Sequence, residues 1–275
     1  MNVKNHPYHL VNPSPWPLFS SFAAFVFAIG IVSVIHDWNS AWIKFLVGLL
    51  FVIGGSFFWW SDVIGEAKYD KAHTPEVQEG LKKGMKVFIL SELFFFATFF
   101  GGFFYLWAKP VPIISDGVWL GKPGVWLPEG IKAISPWDLP LLNTIILLLS
   151  STTVAWAHHS IKENKIKDVT KALACTVFLG LLFTSIQAYE YYHASFPFKA
   201  EGYQAFYTGI FYMCTGFHGL HVIIGTIFLF ICLIRNMRGS ITKDNHLGLE
   251  FAAWYWHFVD VVWIFLFIFL YCLAG

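Results

Sequence analysis

The residues AWYWHFVDVVW, Ala253 to Trp263, lie inside a run from Phe251 to Ala274 that contains no Lys, Arg or Glu. A run of that length crosses a bilayer as a helix, which takes about 20 apolar residues. His257 and Asp260 stand near its middle, three apart and therefore on one helical face. Ionisable side chains at that depth are costly unless other protein faces them. The segment before it supplies a partner, since CTGFHGLHVIIG (Cys214 to Gly225) sets His218 and His221 at the same spacing. Around them Thr208, Thr215, Gly216, Gly219 and Thr226 form a stripe of small residues, on which helix backbones are expected to approach closely. The expectation is two long helices joined around one polar centre.

The composition fits a membrane protein. Apolar residues make up 57% of the 275 and charged residues 13%, where a soluble domain carries roughly a quarter charged. Aromatic residues reach 20%, with 30 Phe and 13 Trp, which suits lipid-facing surfaces and interfacial belts. A net charge of +1 gives no nucleic-acid signal. Cys175, Cys214, Cys232 and Cys272 all fall in apolar runs without CxxC spacing and read as small core residues. The polar, proline-rich start MNVKNHPYHLVNPSPWP shows no cleavable signal peptide.

Seven apolar runs follow one another: Trp16 to Ile35, Ala41 to Trp60, Val87 to Trp107, Leu139 to Ala157, Ala172 to Ala188, Tyr203 to Ile234, and the opening stretch. The segment from Lys109 to Trp137, rich in Pro, Gly and Trp, reads as an ordered surface loop, and the short loops after the first and fifth runs suggest tight antiparallel pairs. With the amino terminus inside, 13 of the 18 Lys and Arg gather on the inner side, among them Lys82, Lys83, Lys86, Lys162, Lys165, Arg235 and Arg238. The positive-inside rule therefore places the amino terminus in the cytoplasm or matrix and the carboxyl terminus outside.

Four readings of His218, His221, His257 and Asp260 are open: a Zn or Fe site, haem ligation between facing helices, a proton or ion path, and plain interhelical hydrogen bonding. Glu92 lies six residues beyond Lys86, about 9 Å deeper along a helix axis; a protonated form or a polar partner is expected there. Asp62 and Glu66 end the second run, and His158 and His159 an inner helix end, where interfacial histidines need no special role.

Fixed stretches in fixed order carry a resemblance to a family: HPYHLVNPSPWP, WWSDVIGEA, HTPEVQEGLKKGM, SELFFFATFF, PLLNTIILLLSSTTVAWAHHS, QAYEYYH, TGFHGLHVIIG and FAAWYWHFVDVVWIFLF. The chain resembles subunit III of the aa3-type haem-copper cytochrome c oxidases over essentially its whole length, and its long loop is closer to alphaproteobacterial members than to animal mitochondrial ones. The resemblance implies an all-α membrane protein of seven helices, with residues 1–67 carrying helices one and two, and residues 68–275 a five-helix bundle across a lipid-filled cleft. It implies a chain with no haem, copper or other metal, flanking subunit I beside subunit II in a complex that passes electrons from cytochrome c to oxygen. Such a chain holds phospholipid and supports proton uptake and catalytic stability.

On that reading His218, His221, His257 and Asp260 become structural, and Glu92 matches the family's buried, carbodiimide-sensitive glutamate. Trp60, Glu66, His73, Arg235 and Arg238 match positions around lipid headgroups. Ser61 and Gly65 stand where animal members carry arginines, so less charge is expected on that wall. The alternatives are an autonomous membrane metalloenzyme or haem protein, and a secondary transporter, which the absence of an inverted repeat disfavours.

Overall fold

The computed structural model describes residues 13–68, 73–108, 127, 131–200 and 204–273. Among these residues seven helices are long and apolar enough to cross a membrane: α1 (Trp16–Ile35), α2 (Ala41–Lys68), α3 (Pro75–Ala108), α4 (Leu139–Lys162), α5 (Ile166–Tyr192), α6 (Gln204–Met237) and α7 (Leu247–Leu266), the last continued by a π-helical turn, Phe267–Cys272. The chain is an all-α integral membrane protein.

Several helices outrun the apolar runs. The third begins at Pro75 rather than Val87, because Thr74 caps it: Oγ1 accepts the Val77 N–H at 3.3 Å and proline follows at the first helical position. Of the polar stretch between the fourth and fifth apolar runs, only three residues lie between α4 and α5, with Asn164 in the left-handed region at φ 60°. Polar residues there continue the helices because amphipathic ends tolerate water. Beside that turn, the Lys165 ammonium holds the Glu163 carboxyl below the usual carboxylate range, and Glu163 in return raises Lys165. The 34 residues of α6 extend over about 51 Å. Past its end Gly239, at φ 64°, lets the Ser240 N–H return to the Arg235 carbonyl at 2.9 Å, a turn only glycine makes cheaply.

The chain divides into two compact units, Met1–Lys83 and Gly84–Gly275. In the first unit α1 and α2 form an antiparallel hairpin with reciprocal notches. A Cβ added at Gly30 would lie 2.6 Å from the Phe45 Cα, and one at Gly48 would lie 2.5 Å from the Phe27 Cα. The Trp16 indole N–H bonds Asp62 at the hairpin's open end. In the second unit α4, α5, α6 and α7 bury one continuous core that includes Phe183, Phe211, Leu229, Trp256 and Trp263.

Candidate functional site

Trp256 on α7 is wholly buried, and three neighbouring helices are shaped around it. Its indole N–H donates to Ser150 Oγ on α4 at 2.9 Å. A Cβ at Gly180 of α5 would come within 2.8 Å of the ring, and one at Gly225 of α6 within 2.9 Å. Seven residues along α7, Trp263 repeats the bond to Thr144 Oγ1 at 2.9 Å. His257 lies between them and meets Ser151 Oγ through Nδ1 at 2.9 Å. The step is seven residues along α7 and six along α4, from Ser150 back to Thr144, each close to two helical turns, so the antiparallel pair keeps its register. On the far side of α5, the Tyr191 hydroxyl donates to Thr215 at 2.7 Å and the Asn236 amide to Thr170 at 2.8 Å, pinning both ends of the α5–α6 pair.

The expected single polar centre is not formed. Its four members part to different helices. His218, 1% exposed, bridges α6 to α7 through Nε2 and the Val259 carbonyl at 3.2 Å. His221 turns to α3, its Nε2 2.9 Å from Glu92 Oε2. His257 faces α4, and Asp260, on its own helix, approaches the same Nδ1 at 3.5 Å. Spacing of three puts each pair near one face, but His218 meets α7, His221 meets α3 and His257 meets α4. Among the described residues no group of three His, Cys, Asp or Glu stands in a metal-binding arrangement.

Of the stripe of small residues, Thr208, Thr215 and Thr226 are buried, whereas its two glycines take no part in close packing. Gly219 has open space where a side chain would go, and Gly216 meets only the Tyr191 hydroxyl at 3.8 Å. The close approach falls at Thr226, a member of the stripe, and at Gly225 beside it, opposite Gly180 and Trp256.

Glu92 thus has a polar partner. His221 Nδ1 lies 2.7 Å from the Phe217 carbonyl, which only accepts, so Nδ1 carries a hydrogen. Nε2 and Glu92 Oε2 then share one further proton, as imidazole with carboxylic acid or imidazolium with carboxylate. Rings surround the pair: Phe95 packs on Phe217 at 5.0 Å and Phe96 on His221 at 5.1 Å.

Besides Glu92 and Asp260, a further buried carboxylate escaped the sequence reading. Glu190, 3% exposed, accepts on Oε1 from the Tyr271 hydroxyl at 2.8 Å and from the Gln187 amide at 3.2 Å. The signal was present: Phe183, Gln187 and Glu190 continue the buried face of α5 at helical spacing. Of the lipid positions, Trp60 is exposed near the end of α2, followed by Glu66, and His73 precedes α3, its carbonyl taking the Gln78 amide at 3.0 Å. Arg235 is half-buried, its Nη1 over Gly248 of α7, whereas Arg238 is exposed just past α6. The two arginines therefore sit in different surroundings despite their spacing.

The profile of cytochrome c oxidase subunit III matches residues 6–274. The chain belongs to that family. It is similar to a protein of Rickettsia bellii described as probable cytochrome c oxidase subunit 3, 50% identical over 271 residues covering 98% of this chain and 96% of that one. The cytochrome c oxidase subunit 3 of Prototheca wickerhamii is 46% identical over 273 residues, 99% of this chain and 100% of that one. That of Dugong dugon is 45% identical over 271 residues, 98% of each. Members of the subunit III family are parts of an oxidoreductase complex, and the seven spanning helices agree with a place in a membrane.

Proposed function

We propose that the chain is the third core subunit of a proton-pumping cytochrome c oxidase, flanking subunit I, and that it moves no electrons itself. The observation that carries this reading is the family match over residues 6–274. The histidines of α6 and α7 support it: His218, His221 and His257 each spend a ring nitrogen on a contact between helices. Haem and copper then belong to subunits I and II. Gentle purification of the tagged chain from its membrane should bring haem-copper subunits with it. Recovery of the chain alone with its own haem spectrum, lost on His218→Ala, would replace this reading with a membrane haem protein.

The same reading gives the chain phospholipid to hold and a part in proton uptake at the inner surface. Trp60, Glu66, His73, Arg235 and Arg238 are the headgroup candidates, since arginine bonds phosphate with charge assistance and Trp suits headgroup depth. Exposed Arg238 is the stronger phosphate contact of the two arginines. Mass spectrometry of lipids retained by the complex should show less anionic phospholipid in an Arg235→Ala, Arg238→Ala double variant; equal retention ends this assignment. The membrane is the bacterial inner membrane, or the mitochondrial one for a mitochondrial chain, with the amino terminus on the cytoplasmic or matrix side. Cysteines placed at 122 and 199 should be labelled from outside, and those at 83 and 165 should not. Position 122 lies outside the described residues.

A further inference from the structure

His158, one turn before the end of α4, and His246, immediately before α7, bring their rings to 6.3 Å between centroids, inclined by 52°. On each ring one nitrogen is closed off from solvent with no hydrogen-bond partner among the described residues: Nε2 of His158 and Nδ1 of His246. A buried ring nitrogen without a partner loses its water and gains nothing in return. In the tautomer protonated on the other ring nitrogen, each of these atoms presents a lone pair of the kind that borderline divalent cations take up.

We propose that His158 and His246, completed by Glu250, form a zinc-class cation site that ties the end of α4 to the start of α7. Glu250 follows His246 by four residues, and its N–H bonds the His246 carbonyl at 3.0 Å, so both side chains leave the helix on the same side. It is also among the charged groups that act on His158, with Lys162, His246 and His257. Lys162 opposes a cation here and Glu250 offsets it.

The geometry asks for a small closure. Two imidazoles on one tetrahedral zinc at about 2.0–2.1 Å place their ring centres roughly 5 Å apart. From the 6.3 Å of the resting pair that is a closure of about 1 Å. No third ligand is already in place, so the rest site is a pair of imidazoles, and Glu250 and water fill the remaining positions. Both histidines are separate from the His218, His221 and His257 contacts, and the site does not depend on the oxidase reading.

The test uses the full chain in detergent and lipid, stripped with chelator and dialysed against zinc ions. About one zinc per chain is expected, with X-ray absorption showing two imidazoles at about 2.0–2.1 Å. A His158→Gln, His246→Gln double variant should bind about 100-fold more weakly or worse, beyond the 10–100-fold typical of losing an outer contact. His159→Gln should bind as wild type, since that ring is exposed and paired with Glu163 at 2.9 Å. No retained zinc, an all-oxygen absorption spectrum, equal affinity in the double variant, or loss confined to His159→Gln would each overturn the site. The absorption measurement is made on the wild type, so a misfolded variant cannot shield the proposal.

Discussion

Helix α7 is held on two sides by two kinds of surface. Towards α4, α5 and α6 the contacts are small: Ser150 and Thr144 receive indole N–H groups, and Gly180 and Gly225 leave room for Trp256. Towards α3 they are large. Phe88 stacks on Tyr255 at 6.3 Å, Phe96 tilts against Phe258 at 6.2 Å, and Phe104 meets Phe269 edge-on at 4.8 Å. The α3 backbone stays at a distance, and a polar contact, Glu92 with His221, crosses to α6. In lipid the hydrophobic effect does not push helices together, so close packing and interhelical hydrogen bonds must do it. The first surface uses both. The second uses ring against ring, where each contact is soft and replaceable.

The contrast predicts unequal losses. Trp256→Ala should destabilise the chain most, by about 3–5 kcal/mol, measured as denaturation of the purified protein. Phe95→Ala, at a half-buried ring, should lose clearly less; the reverse order would break the comparison. Gly180→Ala comes next at about 1–3 kcal/mol, because its Cβ would lie 2.5 Å from Thr226 Oγ1. A neutral Gly180→Ala would show that the junction has slack.

The α3 seam should respond to chemistry more than to volume. His221→Leu leaves the Glu92 carboxyl without its partner and should cost about 1–3 kcal/mol. Glu92→Gln keeps a donor towards Nε2 and should cost less than about 1 kcal/mol, with near-normal oxygen turnover in the assembled oxidase. Equal losses from the two would mean that the shared proton is unimportant to the seam. Ser151→Ala is the smallest, about 0.6 kcal/mol, the average for hydrogen bonds between membrane helices, and it removes the α4 partner of His257.

Reading the chain without coordinates reached far at some residues and failed at others. Seven spans, the depth of Glu92 and its need for a polar partner follow from apolar length and the cost of charge in lipid. The start of α3 was legible in Thr74-Pro75-Glu76 and was passed over because apolar length alone set the boundary. Glu190 was passed over for the same reason, although it continues the buried face of α5.

What the sequence determined by itself, then, is which residues share a helix face and which must find company there: period and hydropathy are local properties. The identity of the company belongs to the tertiary structure. His218 and His221 stand three apart, yet one bonds the α7 backbone and the other a carboxyl on α3. Gly219 looked like a packing surface and faces open space, while Gly225 takes the Trp256 ring. His158 and His246, 88 residues apart by their numbers, become neighbours. Periodicity is blind to such choices because one buried stripe can be covered by several helices. Side-chain volume decides among them, and it acts only once all the helices are packed.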